Sequence, residues 1–98
     1  MNDKIIPAKL IYYSSQGCGV CNTLMPQVKA LLNDKWPKVN FVEIKSKENI
    51  ELLAQQQIFS FPTVIIEFDN KEVGRLSRNF SILQLNDIIE RPYGMYFK

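Results

Sequence analysis

The segment Ser14-Ser15-Gln16-Gly17-Cys18-Gly19-Val20-Cys21-Asn22 holds both cysteines of the chain, with two residues between them. Two thiols at that spacing fit a dithiol–disulfide redox pair, half of a metal site, or two cysteines that only fill a core. The motif alone does not choose among these. The chain has no histidine, which removes Cys–His nucleophilic pairs, histidine ligands and histidine general bases together. A zinc or iron–sulfur centre needs about four ligands, so two cysteines would build one only between chains.

The elements around the motif narrow the choice. Lys9-Leu10-Ile11-Tyr12-Tyr13-Ser14 is an apolar, aromatic run that reads as a buried strand. After the cysteines, Val20, Leu24, Val28, Leu31 and Leu32 fall on one helical face. The spacing predicts a helix from about Cys18 to Asn33, kinked at Pro26. A loop over Asn33–Lys38 leads to a second strand, Val39–Ile44. Ser46 is placed to cap a short helix whose buried face would be Ile50, Leu53 and Ala54. Phe61-Pro62 breaks into a third strand, Thr63–Phe68. Asp69-Asn70-Lys71 is turn chemistry before a half-exposed fourth strand, Glu72–Leu76. Ser81 and Gln84 form a capping box, with Phe80 and Leu85 as its hydrophobic staple. The last helix is expected to run to about Glu90 and stop before Pro92.

Two strands joined through a helix are expected to be parallel. The near-continuous apolar strands LIYY and TVII fit a sheet covered on both faces. Chemistry in such sheets gathers at the carboxyl ends of the strands, where Cys18 and Cys21 lie. Cys18 falls at the first turn of a helix. Unpaired N–H groups and the positive end of the helix dipole favour an anion there, so the Cys18 thiol is expected to be acidic and reactive. Cys21, three residues on, shares its face and lies near disulfide reach. Gly19 leaves the approach to Cys18 open.

Length and composition set the outer bounds. Ninety-eight residues make one domain. With 46% apolar and 22% charged residues, the chain has material for a core and too little charge for disorder. A net charge of +2, spread along the sequence, offers no patch for nucleic acid or an anionic membrane. No apolar run approaches the roughly 20 residues of a membrane span. The opening MNDKIIPAKL lacks the apolar stretch of a signal peptide, which predicts a cytoplasmic location. There, cysteines are more often catalytic or metal-binding than structural.

Taken together, Cys18-Gly19-Val20-Cys21 after a strand, Pro26 in the following helix and Phe61-Pro62-Thr63 before the third strand resemble the thioredoxin family, thioredoxins more than glutaredoxins. The resemblance runs from about Lys9 to Glu90. It implies an α/β thioredoxin fold of three layers, α/β/α, around a four-stranded mixed sheet in the order βαβαββα. With seventeen residues before Cys18, the first strand and helix of full thioredoxins are expected to be missing. The expected organisation is one thioredoxin-like domain over 1–98, with its core at about 9–90 and a short aromatic tail at 91–98.

The resemblance implies a thiol–disulfide oxidoreductase that reduces or exchanges protein disulfides, with Cys18 as nucleophile and Cys21 as resolving thiol. It also implies a cis Phe61–Pro62 bond, with the backbone beside it pairing with an extended substrate. Gly17, Gly19, Val20, Phe61, Pro62 and Arg78 are the expected substrate-binding residues. No cofactor is called for in the chain. The expected partners are protein disulfides and a recycling reductase such as a thioredoxin reductase, with no nucleic acid and no membrane, and the chain is expected to be a monomer. The alternative is a thioredoxin-fold binding or adaptor module with a weak or regulatory redox pair.

Departures from the family pattern keep that alternative open. Gly17 replaces an aromatic residue and Val20 a proline. Tyr12 stands where thioredoxins bury an aspartate, Arg78-Asn79 stand near a family glycine, and the glutathione determinants of glutaredoxins are absent. Tyr12 reads as a core aromatic and a poor base. Trp36 reads as a lid on the core. Glu43 reads as a solvated strand residue, with a proton relay as the sharper alternative.

Overall fold

The computed structural model describes residues 7–97. The leaderless reading of residues 1–6, and the last residue of the tail, lie outside the described residues. Four strands and three α-helices follow one another as β1 (Ala8–Ser14), α1 (Gly19–Lys35), β2 (Asn40–Lys45), α2 (Ile50–Gln55), β3 (Thr63–Phe68), β4 (Lys71–Ser77) and α3 (Ile82–Tyr96). A single 3-10 turn, Ser46–Glu48, precedes α2.

The sheet order is β2-β1-β3-β4. β1 pairs parallel with β2 and antiparallel with β3, and β4 closes a hairpin on β3. The hairpin turn is Asp69-Asn70, both at positive φ (56° and 64°). That is the backbone a two-residue turn of matching twist requires, and Asp and Asn tolerate it better than most residues. β1 and β3 are the inner strands, which is why their residues are apolar on both faces. Leu10, Tyr12, Val64, Ile66 and Phe68 face a core shared with α1 and α3. Ile11, Tyr13 and Ile65 face a smaller core under Leu53 and Ile58.

Four expectations need correction. In α1 the buried stripe is Cys21, Leu24, Val28 and Leu32, while Val20 is 41% exposed. Cys21, three residues before Leu24, continues the inward face that Val20 was expected to open. In α2 only Leu53 is buried; Ala54 is exposed and Ile50 is 73% exposed. A helix of six residues presents one side chain to the sheet. Nor does Ser46 cap it: Ser46 opens the 3-10 turn, and Asn49 stands at the N-cap with its side-chain amide donating to the Lys45 carbonyl at 2.9 Å.

Finally, α3 does not stop before Pro92 but carries it inside and ends at Tyr96. Proline in a helix interior costs about 3 kcal/mol because it removes an N–H and crowds the preceding turn. Aromatic packing beyond it offsets that cost. Tyr93 packs on Trp36 with ring centroids 4.9 Å apart, and Phe97 lies 6.3 Å from Phe68. The aromatic tail is thus the last turn of α3 folded onto the core. At the other end of α3 the capping box is formed: Gln84 N–H donates to Ser81 Oγ at 3.0 Å, and Ser81 N–H to Gln84 Oε1 at 2.9 Å. Phe80 and Leu85 are both buried in the core beneath it.

Candidate active site

β1 delivers the chain to the site and α1 begins it. Gly17, at φ 76°, turns the chain between the two through a conformation that costs glycine little. Cys18 is the N-cap of α1. The backbone N–H of Cys21 donates to Cys18 Sγ at 3.1 Å, so the sulfur occupies the place of a capping oxygen. Cys18 and Cys21 are joined as a disulfide, their Cα atoms 5.2 Å apart. Cys18 is half-buried and Cys21 wholly buried. Of the two sulfurs, Cys18 is therefore the one that lies toward solvent.

The sheet register gathers the other predicted residues at the same end. Tyr13 lies opposite Thr63, and Thr63 opposite Ser77. The residues just outside these pairs are Ser14, Pro62 and Arg78, so the end of β1, the start of β3 and the end of β4 meet beside the cysteines. The Phe61–Pro62 peptide bond is cis. Pro62 is fully buried, and both Phe61 and Cys18 pack against the larger core cluster. Arg78 enters through its backbone: its N–H donates to the Pro62 carbonyl at 2.7 Å, with φ at 65°. A non-glycine residue there bears a steric cost. Gly19, Val20, Thr23 and Leu24 line a shallow cavity of about 460 Å³ with Asn79. Asn79, which with Arg78 departs from the family pattern near a glycine, is thereby brought to the first turn of α1.

On the other side of the motif lies a polar cleft of about 390 Å³, lined by Ser14, Gly17, Asn22, Glu43, Lys45 and Glu48 among others. Ser14 Oγ donates to Glu43 Oε2 at 3.0 Å, so Glu43, though exposed, is fixed at the rim of this cleft. Tyr12 is fully buried and stacks against Phe41. Its hydroxyl donates to the Cys21 carbonyl at 2.8 Å. Burial, with a smaller contribution from the charge of Glu43, pushes the Tyr12 phenol up to about 12. Tyr12 is therefore no proton acceptor near neutrality. Trp36 lids the core as expected, its indole N–H donating to Asn86 Oδ1 at 3.0 Å.

Among the described residues, no cluster of three or more His, Cys, Asp or Glu is placed to hold a metal ion. No helix among them is long and apolar enough to cross a membrane.

A half-exposed cysteine capping a helix, a buried cysteine one turn behind it and a cis-proline loop at the same sheet end define a thioredoxin-fold protein with a dithiol–disulfide pair. Comparison with known proteins agrees. The family model described as Thioredoxin matches residues 3–91. The thioredoxin-like protein YdfQ of Bacillus subtilis is 29% identical over 86 residues, which is 88% of this chain and 76% of that protein. A match to NADPH-dependent thioredoxin reductase 3 of Arabidopsis thaliana is 36% identical over 66 residues; it covers 67% of this chain and 12% of the reductase. Among solved structures, thioredoxin 1 of Thermosipho africanus superposes with a TM-score of 0.81 at 31% identity, over 92% of this chain and 99% of that one. The chain belongs to the thioredoxin family, and its fold and cysteine pair support thiol–disulfide oxidoreductase chemistry in general.

Proposed function

We propose that the chain reduces or exchanges disulfides in proteins. The observation that carries this reading is the bond from Cys21 N–H to Cys18 Sγ at the start of α1. In the reduced protein the same N–H and the helix dipole favour a thiolate on Cys18. That thiolate attacks one sulfur of a substrate disulfide, whose S–S bond breaks and whose other sulfur leaves as a thiolate. Cys21 then loses its proton and attacks Cys18 Sγ. The mixed disulfide breaks, reduced substrate leaves, and Cys18–Cys21 carries away the two electrons' worth of oxidation.

Gly17, Gly19, Val20, Phe61, Pro62 and Arg78 form the substrate-binding rim in this reading. Support comes from the register that brings their elements to one sheet end and from the exposure of Val20 and Gly19 beside Cys18. A recycling reductase completes the cycle, and the likeness to a stretch of a thioredoxin reductase supports that class of partner. We place the protein in the cytoplasm as a monomer, where such a reductant keeps dithiols reduced. The second reading, an adaptor module with a weak redox pair, draws on Tyr12, which puts a phenol where a base would speed resolution. Insulin reduction with dithiothreitol separates the two. Turnover that is lost in Cys18→Ser supports the reductase, and absence of turnover by the wild type supports the adaptor.

A further inference from the structure

Both backbone groups of Cys21 are tied down. Its N–H is held by Cys18 Sγ, and its carbonyl receives the Tyr12 hydroxyl at 2.8 Å in the fully buried core. The second bond is not a helix bond. It crosses from the central strand to the helix that carries the cysteines, at the place where that helix is weakest. Pro26 lies within α1 and has no N–H to give the carbonyl of Asn22, four residues earlier. The turn bearing Cys21 is thus short of one backbone bond and gains one from β1.

We propose that Tyr12 is the positioning residue for the resolving step: its hydroxyl fixes the peptide that follows Cys21 and so aims the Cys21 sulfur at Cys18. This rests on the reading of Cys18–Cys21 as a working dithiol. With the two peptide planes around Cys21 fixed, only rotation about its Cα–Cβ bond remains to bring one sulfur onto the other. Intramolecular attack is sensitive to such alignment. Tyr12 works here as a donor and not as an acid or base. Its neighbours fit that role. Glu43, its register partner on β2, is the charged group that acts on it. Val64 faces it from β3, and α1 presents Cys21.

The test follows two successive bond exchanges with one reagent, dithionitrobenzoate. The Cys18 thiolate attacks its disulfide, forming a mixed disulfide and releasing one nitrothiobenzoate. The Cys21 thiol gives its proton to solvent, and its thiolate attacks Cys18 Sγ and releases the second nitrothiobenzoate. Two protein thiols are oxidised and one reagent disulfide is reduced. In Tyr12→Phe, which keeps the ring that stacks on Phe41, the second release slows about fivefold, the rate equivalent of one neutral hydrogen bond. It slows by the same factor at every pH from 6 to 9, and the first release keeps its wild-type rate. Should Tyr12→Phe not fold, Tyr12→Met, flexible and equally without a donor, replaces it. An unchanged second release, an equal slowing of both releases, or a slowing confined to one end of the pH range overturns the role. A wild type that releases only one equivalent overturns the dithiol reading, and this inference with it.

Discussion

The backbone N–H of Cys21 points at the sulfur of Cys18, 3.1 Å away, and makes a cysteine the N-cap of α1. The bond is asymmetric. Only the first cysteine receives a backbone donor at the positive end of the helix, and only the second is wholly shut from solvent. In the reduced protein, iodoacetamide near neutral pH is expected to label Cys18 at least roughly tenfold faster than Cys21, because a helix N-terminus favours a thiolate on Cys18 while Cys21 is shut from solvent. Peptide mapping after a short pulse reads the ratio; equal labelling would contradict the assigned order of roles.

The two cysteines are expected to part company when each is replaced. Cys21→Ser leaves the attacking thiolate and removes the resolving thiol, so substrate proteins accumulate on Cys18 as mixed disulfides stable to non-reducing electrophoresis. Cys18→Ser captures almost nothing, because the remaining thiol is buried. Capture by Cys18→Ser at a level comparable with Cys21→Ser would defeat the mechanism.

Tyr12 couples the stability of the fold to alkaline pH. Its pKa is about 12 in the folded protein, raised chiefly by burial, against 10.0 for an ordinary tyrosine. Between those values the folded state binds more protons than the unfolded one, so stability falls as pH rises from about 10 to about 12 and is complete below that window. Tyr13 is raised as well, by burial first, so the loss has at least two contributors. Denaturant melts across this range are expected to show a shallower decline for Tyr12→Phe than for the wild type. Parallel declines in the two proteins would remove Tyr12 from the account.

Tyr12→Asp tests the same place with an acid. The side chain would lie in the core beside Glu43, and an unpaired buried carboxylate costs several kcal/mol. Lower stability by urea denaturation at pH 7 is expected, recovering in part as pH falls and the new carboxyl takes up a proton. Wild-type stability in this variant would mean that the site is wetter than the buried Tyr12 ring indicates.

Far from the cysteines, Tyr93→Ala is expected to destabilise by about 2 kcal/mol in urea melts. It removes a half-buried ring stacked on Trp36 and a hydroxyl that accepts from Lys38 N–H at 3.2 Å. The rate at which Cys18 is alkylated should stay within about twofold of wild type, since Tyr93 packs on the loop after α1 and not on its first turn. A variant as stable as wild type would show that α3 runs past Pro92 for some other reason than aromatic packing.

Local signals carried much of this molecule. Short, near-continuous apolar and aromatic runs mark the inner strands, Asp69-Asn70 marks the hairpin, and Ser81 with Gln84 marks the start of α3. Cys18 and Cys21 declare themselves by lying where an apolar strand gives way to a helical stripe. Each of these is legible because its cause lies within a few residues along the chain: a turn's φ values, a cap's orphan N–H, a helix's period. What the tertiary structure alone decided depends on groups brought together from afar. The Tyr12 hydroxyl finds the Cys21 carbonyl because β1 passes beneath α1. The backbone of Arg78 meets Pro62 because β4 pairs with β3. Val20 turns outward while Cys21 turns in, which the helical period permits but only the position of the sheet decides. Pro92 reads as a stop by its missing N–H, yet α3 continues because Trp36 and Phe68, distant in sequence, offer Tyr93 and Phe97 a surface worth more than the lost bond. Backbone propensity is settled locally, whereas the partner of a buried polar atom or an aromatic ring is whichever element the fold lays against it.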